Sequence, residues 1–174
     1  MKADIFISHI HDEEKVAKAL QSFIESKFEK KLKVFLSSDH WQMSAGEVWL
    51  DRIREELTSA KVLVLMLSSR SVMRPWINFE AGAAWFAQTT IIPVCFGGLS
   101  KGHLPMPYSV WQALNLRDEA YWLLTAIAGH FPLFAPFPTW ESTFGESAPP
   151  SARPKDEAFI RLWQVLDSRD TDGR

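Results

Sequence analysis

The sequence predicts an α/β fold, a parallel sheet with helices on both faces. Short apolar runs alternate with amphipathic stretches of helical spacing over the first 130 residues, an order that sandwiches strands between helical layers through right-handed crossovers. One run, "KVLVLMLSS", is apolar without a break between turn formers, as suits a parallel strand covered on both faces. At 174 residues and 47% hydrophobic, the chain suffices for one well-packed domain and an appendage.

The elements follow in order. "ADIFISHI" is a first strand closed by Ser8 and His9. "DEEKVAKALQSFIESKFEKKL" carries Val16, Leu20, Phe23, Ile24 and Phe28 at spacings of three and four, which makes one buried helical stripe. "LKVFLSS" is a second strand, and a loop from Asp39 leads to the helix "VWLDRIREELTSA", read from Leu50, Ile53 and Leu57. After the third strand, "PWINFEAGAAWFAQ" is a helix with Pro75 in its first turn. "TTIIPVCFG" is a fourth strand whose Pro93 argues against a fully central position. A weak strand near "WQALNL" and the helix "DEAYWLLTAIAGHF" complete a main domain of residues 1–131. Residues 132–154 hold six of the ten prolines and read as a linker or surface wrap. An amphipathic helix at about 155–167, with Phe159, Leu162, Trp163 and Leu166 in its stripe, ends the 132–174 extension.

Several function classes drop out. Nineteen basic against 21 acidic residues, without a basic run, disfavour nucleic acid as a partner. The N-terminus turns acidic too soon for a secretory signal, and no stretch approaches the ~18 apolar residues of a membrane span. Cys95 is the single cysteine, which excludes an internal disulfide and a zinc knuckle. The expectation is a soluble cytoplasmic protein without membrane contact. Neither G-x-G-x-x-G nor G-x-x-x-x-G-K-[ST] occurs. The histidines, among them His9 and His11, are read as loop or surface residues and not as a metal site, and Cys95 as a small buried hydrophobe. Ser8, Ser37, Ser38, Ser68 and Ser69 end strands outside any nucleophile elbow, where helix capping or loop bonding is the default role.

In a sheet of this kind ligands collect at the carboxyl ends of the strands, near the reversal of strand order. Ser8 and His9, Ser37 to Asp39, and Ser68 to Glu80 all follow strand ends and are expected on one edge. Glu80 is the residue to explain, because a carboxylate among Trp, Phe, Ile, Ala and Gly costs stability unless it is paired or used. Trp76 and Glu80, four apart, share a helix face. Two readings stay open: a functional carboxylate, or a helix-start residue that favours the macrodipole.

The order and spacing of "DIFISH", "VFLSSDHWQMSAGEVWLDRIREELTSAKVLVLMLS" and "SRSVMRPWINFEAGAAW" resemble a TIR (Toll/interleukin-1 receptor) domain over roughly residues 3–131, specifically the bacterial, NAD+-cleaving, anti-phage kind (Thoeris-like or related). The resemblance implies a flavodoxin-like sheet in the order 2-1-3-4-5 and cleavage of the nicotinamide–ribose bond of NAD+, the substrate, with no cofactor and no metal. It implies Glu80 as the catalytic glutamate and Trp76 as its neighbouring tryptophan. Ser8, His9 and Ile10 resemble the part lining the nucleotide pocket; His9 stands where some members carry a more strongly basic residue. Ser38, Asp39 and Trp41 join the substrate-binding set. The loop Asp39 to Glu47, with Met43, Ser44, Ala45, Gly46 and Glu47, resembles the segment that gates the site and mediates TIR–TIR packing. Implied partners are NAD+, further copies of the chain, and an effector or sensor protein. Two alternatives stand beside this reading: a non-catalytic scaffold that acts by TIR–TIR assembly, and an enzyme resembling nucleoside deoxyribosyltransferases.

Overall fold

The computed structural model describes residues 2–38, 49–134 and 157–171. Five strands, β1 (Ile5–Ser8), β2 (Val34–Leu36), β3 (Val62–Leu67), β4 (Thr90–Cys95) and β5 (Leu114–Asn115), form one sheet in the order 2-1-3-4-5. Every neighbouring pair is parallel, with Ile5 opposite both Val34 and Val62, Ser8 opposite Leu65, and Leu67 opposite Cys95. All residues of β1, β2 and β3 are buried, the consequence of helices on both faces.

The pleat divides the core in two. Ile5, Ile7, Val34, Leu36, Val62, Val64 and Met66 face α1 (Glu14–Lys27) and α4 (Leu116–Ala128). Phe6, Phe35, Leu63, Leu65 and Leu67 face α2 (Trp49–Ser59) and α3 (Pro75–Phe86). The five apolar residues of the α1 stripe are completely buried. In α2, Ile53 and Leu57 are buried, but Leu50 is 47% exposed. It lies one turn earlier on the same side, where the helix starts at the carboxyl edge and the sheet no longer covers it.

Pro93 lies in β4, which pairs with β3 on one side and β5 on the other. In keeping with the expectation from its proline, β4 is an interior strand but not the central one, which is β3. The amide of Thr90 bonds the Lys61 carbonyl and that of Phe96 bonds the Leu67 carbonyl, so the even-numbered residues face β3. Pro93 therefore faces the β5 side, and pairing there begins only at Val94 with Leu114. No ladder bond is lost.

The C-terminal helix, α5 (Glu157–Thr171), lies in the same core. Phe159, Leu162 and Leu166 are buried, and the Phe159 ring sits 5.8 Å from Phe23 of α1 and 5.3 Å from Tyr121 of α4. Arg117 pairs with Asp167 at 2.8 Å and lies over the Trp163 ring. Among the described residues no helix is long and apolar enough to cross a membrane.

Candidate active site

Proline fixes the entry of α3. It pushes the residue before it out of helical geometry, and Arg74 is extended, with φ −75° and ψ 129°, while Pro75 is the first helical residue. That places Glu80 in the second turn, where the first-turn macrodipole reading does not apply. Its carboxyl group is fully buried and points back across the sheet to the end of β1. The Ser8 hydroxyl bonds Oε2, and the Trp76 indole donates Nε1–H to Oε1 at 2.9 Å. The Trp76 ring stacks on Phe79, 5.1 Å between centroids and 28° between planes.

No cation touches Glu80 among these partners. Burial therefore dominates and raises its pKa to about 8, with the Ser8 and Trp76 bonds pulling the other way. At pH 7 the carboxyl keeps its proton. In that state Oε2–H donates to Ser8 and Oε1 still accepts from Trp76; as a carboxylate both oxygens accept.

A cavity of about 570 Å³ opens beside this pair. It is lined by His9 to Asp12 after β1, by Ser37 and Ser38 after β2, and by Arg74 to Trp76 at the start of α3. The expected gathering on one sheet edge is thus observed for Ser8, His9, Ile10, Ser38, Trp76 and Glu80. Glu80 itself is not in the lining; the Trp76 indole stands between it and the cavity. Asp39, Trp41, Met43, Ser44, Ala45, Gly46 and Glu47 lie outside the described residues.

His9 lies in the loop after β1, as one side of the loop-or-surface expectation has it, but it is buried, only 3% exposed. Its amide donates to Ser37 Oγ, whose own proton goes to the His9 carbonyl, both at 3.1 Å. Its Nδ1 is 2.9 Å from the Ile10 carbonyl. A carbonyl only accepts, so Nδ1 carries a proton. Cys95 is buried as expected, and burial pushes its thiol up to about 11.

A second buried carboxylate shares this edge. Glu13 precedes α1 and accepts from the Ser68 hydroxyl beyond β3. Ser68 Oγ in turn accepts the amides of Arg70 at 3.0 Å and Ser71 at 3.2 Å. One proton donated and two lone pairs filled satisfy that hydroxyl and hang the loop to α3 on it. Sequence reading missed Glu13 and Asp12; it placed Ser37 and the stretch holding Arg74 on this edge and weighed His11, without naming any of the three as a site residue. For Arg74 a signal existed: it immediately precedes the helix-starting proline.

Solved structures with this architecture include the metazoan TIR-STING receptor from C. gigas, alone and in complex with 2',3'-cGAMP. The complex matches at 20% identity and a TM-score of 0.53 over 74% of this chain and 39% of that one. The receptor alone matches at 18% and 0.52 over 74% and 40%. The TIR domains of the activated Roq1 resistosome, which directly recognises the pathogen effector XopQ, match at 12% and 0.47 over 98% and 84%. This chain spans about two fifths of the length of the C. gigas receptor chains, and at such identities the likeness concerns the fold. No protein of curated function matches the sequence. The family profile described as "TIR domain" matches residues 5–125, from the first residue of β1 well into α4, and the chain belongs to the TIR domain family.

Proposed function

We propose that this chain is an NAD+ nucleosidase or ADP-ribosyl cyclase, with Glu80 as its catalytic carboxylate. The observation that supports this most is a carboxyl group buried, among the described residues, against neutral donors alone, one indole away from a cavity of dinucleotide-binding size. In the reaction the bond between ribose C1′ and the nicotinamide ring nitrogen breaks. Its electron pair neutralises the pyridinium, so the leaving group needs no proton, unlike that of an ordinary glycoside. Positive charge develops at C1′, and an ionised Glu80 in a partly dry site stabilises it. A bound pyridinium favours loss of the Glu80 proton, as any nearby positive charge does. Trp76 must yield its indole bond for the ribose to reach Oε1. Water at C1′ then gives ADP-ribose and a proton; an adenine nitrogen or a ribose hydroxyl gives a cyclic ADP-ribose.

The setting we propose is cytoplasmic bacterial anti-phage defence, through NAD+ depletion or a cyclic signal read by a separate effector. The catalytic unit is residues 1–131, extended by 132–174; NAD+ is substrate and no resident cofactor takes part. Assembly of copies accompanies the activity. The outward face of α3 favours it, with Phe79 52%, Trp85 68% and Phe86 85% exposed, an apolar stripe of the kind that marks interaction surfaces.

The test is incubation of the protein at several concentrations with NAD+, followed by chromatography and mass spectrometry, with Glu80→Gln as control. Nicotinamide release that vanishes in the variant, with specific activity climbing with concentration, is the expected result. Absence of release at every concentration rejects turnover by this chain alone and favours the scaffold. Turnover of deoxynucleosides without NAD+ cleavage identifies the deoxyribosyltransferase-like alternative.

A further inference from the structure

We infer that Arg74 reads the diphosphate of the dinucleotide and makes the cavity selective for phosphate-bearing substrates. The inference rests on the proposed NAD+ reading and assigns the anionic half of the substrate to a residue. Arg74 lines the cavity at the amino end of the 12-residue helix α3. Among the described residues its one side-chain hydrogen bond runs from Nε to the Arg70 carbonyl at 3.3 Å, which leaves both Nη groups available for a bidentate contact to phosphate oxygens. Among the described residues no side chain caps this helix start, so the amide of Ile77, in its first turn, adds its partial positive charge.

A second, independent observation points to a ligand. Ser38 is 5% exposed and lines the same cavity, and its hydroxyl has no hydrogen-bond partner among the described residues. A buried hydroxyl left this way costs free energy; an oxygen acceptor in the cavity removes that cost. His9 and His11 add basic groups to the lining, and Asp12 is its one carboxylate among the described residues. The cationic and neutral donors thus sit on the cavity side of the Trp76 indole, while Glu80 sits behind it. A molecule with a pyridinium–ribose end and a diphosphate fits that division of charge. Nicotinamide riboside, which lacks phosphate, matches only half of it.

The experiment pairs binding with kinetics on the wild type, Arg74→Gln, Arg74→Lys and Ser38→Ala, each checked for an unchanged melting temperature. ADP binding is measured by calorimetry, and kcat/KM is measured for NAD+ and for nicotinamide riboside. Arg74→Gln is expected to weaken ADP about thirtyfold, the scale of a charge-assisted pair. It should lower the NAD+ to nicotinamide riboside ratio of kcat/KM at least about tenfold through KM, with Lys intermediate and Ser38→Ala smaller. Equal ADP affinity in wild type and Arg74→Gln, or no ADP binding by the wild type at millimolar concentration, overturns the inference whether or not NAD+ is cleaved. Arg74-dependent ADP binding without NAD+ cleavage upholds it and removes the proposed reaction instead.

Discussion

The two edges of the sheet solve the same problem in opposite ways. At the amino edge Glu56 is buried, yet it accepts the Ala3 amide at 2.7 Å, pairs with Arg52 at 2.8 Å and has Lys33 at 3.9 Å. At the carboxyl edge Glu80 is buried with a serine and an indole and, among the described residues, no cation. Both side chains stand on helices of the same layer. The first arrangement compensates the charge and holds the starts of β1 and β2 to α2. The second leaves charge uncompensated, so the group keeps its proton and the fold bears a cost whenever that proton leaves. Burial of a carboxylate is therefore a poor marker of a working site on its own; the kind of partner is the marker.

The sharpest break of this comparison is kinetic. Glu80→Gln keeps the shape and both hydrogen bonds but never carries charge, so NAD+ cleavage should fall by at least about 10²-fold. Circular dichroism should show the fold intact. The companion substitution Glu56→Gln should leave kcat/KM within about twofold, and an equal loss in both variants would dissolve the distinction between the edges.

Stability separates the edges by sign. The Glu80 pKa of about 8 stands above the ordinary 4.5. Between these values the folded chain holds a proton that the unfolded chain has released, so stability falls as pH rises across that window and the loss is complete above pH 8. Glu80→Gln removes the dependence. It should stabilise the protein by up to about 3 kcal/mol at pH 7 and up to about 5 kcal/mol above pH 8, and hardly at all at pH 4. Urea titrations at the three pH values measure this. Glu56→Gln should destabilise by about 2 kcal/mol at pH 7, because a carboxylate bonded to an amide and a guanidinium is lost and Arg52 is itself partly exposed. The same titration of Glu80 in the free protein should appear in kcat/KM, rising with pH to a plateau above about pH 8.

How much of this was legible beforehand follows the range of each interaction. The layers, strand order and α1 stripe repeat locally or follow the resemblance, and they came through intact. The Trp76–Glu80 contact, a matter of helical spacing, was legible too. Ser8 as the partner of Glu80 is 72 residues away, and Glu13 lies 55 residues from Ser68; no local pattern announces such pairs. Nothing local in "DRIREEL" marks Glu56, since its partners Lys33 and Ala3 arrive from elsewhere in the chain. That Pro93 costs no ladder bond was not legible, because it depends on how early β5 begins.

The smallest expected effect tests the indole as gate and donor together. Trp76→Phe retains an aromatic ring to stack on Phe79 and removes the Nε1–H bond to Oε1. One donor that lowers the Glu80 pKa disappears, so the kcat/KM profile should move to higher pH. Stability should drop by about 1 kcal/mol, the net value of one buried hydrogen bond. If Trp76 must release Glu80 before the ribose can approach, the lost bond also lowers the barrier to opening. The plateau kcat/KM above the shifted pKa should then match or exceed that of the wild type. A plateau depressed as far as in Glu80→Gln would instead make the indole N–H part of the charge-stabilising machinery and not a latch over it.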